Sequence, residues 1–213
     1  MLDKKTIYNQ LEKFEGTYEI HISILDTFDN NKFYEICKLL KVKPIIIDFN
    51  NDKTKNQPMI SKKIKDSPKN TLELIEKMYK IMLDNFSITR LKIEADINNK
   101  NIPLLDEQHD KNCYFENHLR LIWDKNILEK KLAQELRVYN GHLSKNSLSN
   151  NKNRFVTQRF YKYGYHKAKE ELEKLCNFID SKNIKYDKKI YEYTIYDSNL
   201  ELDSSWTNNG KEY

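Results

Sequence analysis

The sequence predicts an α+β protein of two βαββαβ modules whose antiparallel sheets face a shared cleft. Three observations carry this expectation. A chain of 213 residues is long enough for two small modules, each with a modest core of its own. Helical and strand periodicities of its apolar residues alternate in one order, and that order is then repeated. Finally, Tyr18-Glu19-Ile20-His21-Ile22-Ser23-Ile24 lines up with Phe115-Glu116-Asn117-His118-Leu119-Arg120-Leu121 further along the chain, which reads as an internal duplication.

The first module is expected over residues 1–95. Its opening strand ends near Leu25. A helix over 32–41 follows, with Phe33, Ile36, Cys37 and Leu40 at helical spacing, and Pro44 marks its end. Residues 44–49 read as a buried strand, 50–56 as polar loop and 59–64 as another strand. Asn70 or Thr71 can cap a helix carrying Leu74, Ile75, Met78 and Met82, with Glu73 and Glu76 early, where the helix dipole favours them. A strand over 87–95 closes the module. Residues 96–112 form a linker, and 113–213 the second module with a tail. There the matching elements are a helix over 127–137, a short strand or turn over 141–146, a strand over 154–161, a helix over 166–179 and a strand over 189–196. Trp206 is expected to pin the tail to the core. This element order is the ferredoxin-like one, in which a four-stranded sheet carries both helices on one face in the spatial order 4-1-3-2.

Composition narrows the partners. The net charge of +5 is mild and Lys is spread along the chain, which excludes a histone-like partner. Abundant Lys, Asn and Ile match an A/T-rich coding bias, so Lys runs say little. No apolar stretch approaches the ~20 residues of a membrane helix, and Met1-Leu2-Asp3-Lys4-Lys5 lacks a signal-peptide core. The expectation is a cytoplasmic protein with no membrane partner. Cys37, Cys113 and Cys176 form no CxxC pair, so neither disulfide framework nor zinc knuckle is indicated. With four Gly in the chain there is no phosphate-cradling loop.

Strand alternation then places the chemistry. Tyr18, Ile20, Ile22 and Ile24 must face the helices, which turns Glu19, His21 and Ser23 to the other side. Arg90, Lys92 and Glu94 alternate against Leu91, Ile93 and Ala95, and Glu116, His118 and Arg120 share one side of their strand. Such alternation is the ordinary pattern of a solvated sheet face. Yet in a chain that prefers Lys, the few arginines Arg90, Arg120, Arg154 and Arg159 fall on strands beside His and Glu, and a guanidinium fork suits phosphate or carboxylate. His21 and His118 are therefore the acid/base candidates, and Ser23, Arg90, Lys92, Arg120 and Arg159 the substrate binders. The expected ligand is a small phosphorylated compound or nucleotide, turned over without a cofactor. Two alternatives stand beside this reading. His21, Glu94, His118 and Glu116 could hold a divalent ion, or the basic sheet could bind RNA without chemistry.

His21-Ile22-Ser23-Ile24, with His142-Leu143-Ser144, resembles the His-x-Ser/Thr-x strand motifs of the 2H phosphoesterases. That family cleaves or forms cyclic phosphodiesters in a bilobed fold. The strand equivalent to the first motif reads His118-Leu119-Arg120 and lacks its Ser/Thr. The metal alternative resembles the vicinal-oxygen-chelate proteins, which build a metal site from duplicated modules. The strings YFENH, HLSKN, RFVTQRFY and IYDSNLELDSSW resemble an uncharacterised family associated with large DNA viruses and some microbes, a resemblance that implies no catalytic residue.

Overall fold

A computed structural model describes residues 2–48, 56–148 and 153–203; Trp206 lies outside them. The chain divides into two compact units: 1–46, 57–102 and 193–202 in the first, and 47–56, 103–192 and 203–213 in the second.

The first unit opens with a helix that the hydrophobic pattern did not announce, α1 (Lys4–Lys13). Asp3 caps it by accepting the Thr6 N–H, and only Ile7 and Leu11 within it are buried, too sparse a stripe to be read with confidence in a window rich in Lys and polar residues. Strand β1 (Thr17–Ile24) follows, then α2 (Asn30–Leu40) capped by Asp29, β2 (Lys43–Asp48), β3 (Gln57–Lys65), α3 (Pro68–Leu83) and β4 (Ile88–Asp96). Ser67 caps α3, with Pro68 in its first turn, where no intrahelical partner for its nitrogen is needed. The turn from α1 into β1 depends on Gly16, at φ +156°, because a Cβ there would meet the Asn99 side chain at 2.2 Å. That amide accepts the Thr17 N–H and donates to the carbonyls of Phe14 and Thr17, which ties the end of β4 to the start of β1.

The second unit contains β5 (Tyr114–Ile122), α4 (Glu129–Leu136), β6 (His142–Asn146), β7 (Asn153–Phe160), α5 (Tyr165–Ser181) and the long β8 (Tyr186–Asp197). Its core joins Leu119 and Leu121 of β5 and Val156 of β7 to Leu132 and Leu136 of α4 and Leu172, Leu175 and Ile179 of α5. Buried Asn117 donates to the Ala168 carbonyl at 2.7 Å and Gln158 to the Tyr139 carbonyl at 2.8 Å, which bolts the helical layer to the sheet.

Hydrogen bonding orders the strands β1-β3-β2-β6-β7-β5-β8-β4, and the order closes on itself as an eight-stranded antiparallel barrel. This overturns the expectation of two separate ferredoxin-like modules facing an open cleft, and the duplicated-module reading with it. The physical reason lies in two strands. The last residues of β2 pair with β6, Ile47 opposite Asn146 and Asp48 opposite Lys145. Strand β8 begins in the second unit and ends in the first. Among the described residues no strand is left as an edge.

Apolar alternation holds as the sequence implies, with Tyr18, Ile20 and Ile22 wholly buried along β1. The opposite side of the strands is not a solvated face. Glu94 is 1 % exposed, Glu116 2 % and Arg90 4 %, so these charges are held away from water and must be compensated. All three cysteines are buried thiols outside any disulfide, and desolvation pushes the Cys37 thiol up to about 11. Among the described residues no helix is long and apolar enough to cross a membrane.

Candidate functional site

In the first unit β1 lies between β3 and β4, and its polar side forms one cross-strand patch. His21 stands opposite Ser61 of β3 and Lys92 of β4, Glu19 opposite Glu94, and Ser23 opposite Arg90. Residues facing each other across antiparallel strands share a side of the sheet, so these groups must meet. His21 Nε2 lies 2.7 Å from Glu94 Oε2 and 3.8 Å from Glu19 Oε1. Lys92 Nζ sits 2.6 Å from Glu94 Oε1, and the Ser61 hydroxyl donates to Glu19 Oε1 at 2.6 Å. Glu94 is thereby clasped between an ammonium and an imidazole. At the other end of β4, Arg90 makes a two-pronged pair with the buried Asp197, its Nε donating to Oδ1 at 2.8 Å. Asp197 Oδ1 also accepts the Asn199 N–H, Ser198 Oγ accepts the Leu91 N–H, and the Asn199 amide donates to the Thr89 carbonyl. Asp197, which ends β8, and the Ser198-Asn199 pair that follows it, residue types that favour turns, therefore stitch β8 to β4.

In the second unit β5 and β7 pair with Glu116 opposite Arg159, His118 opposite Thr157 and Arg120 opposite Phe155. Strand β6 sets His142 opposite the same Thr157, so His142, Thr157 and His118 form one cross-strand row. His118 Nδ1 is hydrogen-bonded to Thr157 Oγ1 at 2.9 Å, and its Nε2 lies 3.2 Å from Glu192 Oε2 on β8. This imidazole and carboxylate offer converging N and O donors able to hold a metal ion. Arg159 Nη2 donates to Glu116 Oε1 at 3.0 Å, with both side chains 2 % exposed, and its guanidinium lies 4.6 Å from the centre of the Tyr114 ring. Arg120 grips Asp187 by two hydrogen bonds of 2.7 and 2.8 Å. The Arg120 partner holds the Asp187 carboxyl below its ordinary value, and Asp187 in turn raises Arg120.

The cations chosen from sequence thus each face a carboxylate: Arg90 meets Asp197, Lys92 meets Glu94, Arg120 meets Asp187 and Arg159 meets Glu116. An entering phosphate would have to displace these partners. Of the four residues in the metal alternative, Glu94 is brought to His21, while Glu116 is taken by Arg159. The partner that His118 does find within its unit, Glu192, was outside that set, as were Thr157, Glu19, Ser61 and Asp197. Glu19 carried a sequence signal, because period-two alternation turns it to the side of His21, and Glu192 did through the expected adjacency of first and last strands, which sets it near His118.

No protein-family model and no curated protein matches this chain. Among solved structures, the small subunit of acetolactate synthase from Thermotoga maritima aligns over 82 % of this chain and 92 % of its own, at 10 % identity and a TM-score of 0.29. A likeness at that level carries no argument. The comparisons lend nothing to the phosphoesterase-like and viral readings.

Proposed function

We propose that this protein is a divalent-metal enzyme in which His118 and Glu192 are ligands. One distance carries the reading. Two N/O ligands each about 2.0–2.2 Å from an ion, at angles between square and tetrahedral, stand about 2.8–3.6 Å apart. The His118 Nε2 to Glu192 Oε2 separation is 3.2 Å, so an ion fits the pair with little movement. His21 and Glu94, at 2.7 Å, have the spacing of a charge-assisted hydrogen bond instead. The Thr157 contact supports the same assignment. A metal on Nε2 would leave the proton on Nδ1, where Thr157 Oγ1 lies at 2.9 Å to accept it, the arrangement in which a ligating imidazole is oriented by a partner on its other nitrogen. The donor set of one imidazole and one carboxylate suits Zn²⁺, Mn²⁺ or Fe²⁺. A bound ion would supply Lewis-acid polarisation of a substrate oxygen. The vicinal-oxygen-chelate resemblance points to the same class of chemistry.

Calorimetric titration of chelator-treated protein with Zn²⁺ and with Mn²⁺, backed by metal analysis after gel filtration, tests the proposal. Stoichiometric binding that His118→Ala and Glu192→Gln abolish and His21→Ala retains is expected. Absence of stoichiometric binding, or equal binding by all three variants, would refute it.

A further inference from the structure

Away from the His118 pair, the second unit carries a groove of about 640 Å³ between the segment leading into α4 and the turn from α5 into β8. Its floor is Trp123, Ile127, Leu132 and Ile184, which pack on the core of this unit. Its rim bears Leu128, 70 % exposed, and Ile122, 44 % exposed. The walls are held by backbone hydrogen bonds: Ile122 N–H to the Lys185 carbonyl at 2.8 Å, Ile127 N–H to Asp124 and Ile184 N–H to Ile179. Trp123 is a fixed element, because the Arg154 guanidinium, itself bonded to Glu129, lies 4.6 Å from its ring centre. The groove therefore exists before any ligand arrives, and its volume falls in the range of small-molecule sites.

Charge decides what kind of molecule suits it. Of the groove's two carboxylates, Glu135 holds Lys182 at 2.8 Å, and Asp124 accepts the Asn126 N–H of its own turn. Lys131 and Lys185, both exposed at the rim, make no ion pair among the described residues. Apolar walls with an aromatic floor and two available ammonium groups match an amphipathic anion. We propose that this groove binds a small organic anion with an aromatic body and a carboxylate or sulfonate head, the ring on Trp123 and the head at Lys131 and Lys185.

The test uses the intact chain and 8-anilinonaphthalene-1-sulfonate as probe, read by its fluorescence, with 1-naphthoate and the uncharged 1-naphthalenemethanol as competitors. Saturable binding at one site is expected, with displacement by the naphthoate at concentrations about tenfold below those of the alcohol. Leu128→Asp should weaken the probe about tenfold, the double variant Lys131→Glu/Lys185→Glu similarly, and the remote Lys174→Glu not at all. Leu128 and the two lysines are exposed, so matched thermal melts will show that the variants are folded. Absence of saturable binding, equal competition by the alcohol, or an affinity that Leu128→Asp leaves unchanged would each overturn the proposal.

Discussion

His118 is held by its far nitrogen, and that contact makes a prediction separate from the ligands themselves. Thr157→Val keeps the shape of the strand and removes the hydroxyl that faces Nδ1. Metal affinity should fall about 10- to 100-fold while the melting temperature barely moves, as measured by competition with a chromophoric chelator. An affinity equal to that of the wild type would mean that the ring is oriented by something else. Arg90 and Asp197 make the complementary case, a pair whose value is structural. Asp197→Ala strips a buried guanidinium of its two-pronged partner and should cost about 3–5 kcal/mol in urea denaturation. A loss within the range of exposed ion pairs, below about 1 kcal/mol, would show that Arg90 is served otherwise. At this scale the sequence revealed sides but not partners. Period-two alternation was enough to turn His21, Arg90, Lys92, His118 and Arg120 away from the apolar side. It could not say that Arg90 would take a carboxylate on the last strand, because that choice is set by strand register, which local patterning does not encode.

Among the elements, the segment between β4 and β5 shows how a stretch read as a linker does structural work. Helix α5 begins without a side-chain cap of its own. Instead Asp106 accepts the Gly164 N–H at 2.8 Å and takes Lys167 Nζ at 3.1 Å, while the Tyr165 and His166 N–H groups donate to the carbonyls of Pro103 and Leu104. So close an approach requires glycine, since a Cβ at Gly164 would lie 2.4 Å from the Leu105 carbonyl carbon. Gly164→Ala should therefore destabilise the protein by about 1–3 kcal/mol, read by urea denaturation; a neutral result would mean that the segment shifts freely. The Gly164 N–H, with Lys167, lowers the Asp106 carboxyl below its ordinary value. A depressed folded value stabilises above the unfolded carboxyl pKa of about 3.9, and the benefit is lost as pH falls through the folded value. Asp106→Asn should lower the melting temperature at pH 7 and shrink the drop between pH 7 and pH 3; parallel pH profiles would dismiss the role. Element types were legible wherever apolar spacing was strong, as in α2, α3 and α5. The weakly striped α1 was not, nor was the service of 103–106 to α5, because a cap supplied from a distant loop leaves no mark beside the helix it caps.

For the molecule as a whole, β8 is the informative strand. It gives Tyr186–Glu192 to one compact unit and continues into the other from Tyr193. Opening either unit must therefore disturb a strand that the other also uses. Native-state hydrogen exchange at low denaturant should place the most protected amides of β1 and β5 on one common unfolding isotherm. Two isotherms with different slopes would show that the units open independently. Closure of the strand order was the part least visible in the sequence, since a strand paired on both sides and a strand at an edge carry the same alternation when both faces are covered. The three buried thiols gain a use from this arrangement. One lies in the first unit and two in the second, and burial within each unit keeps reagents from them until the fold parts. A maleimide pulse followed by peptide mass mapping would thus show whether the thiols of both units are exposed together, with no foreign label placed in the chain.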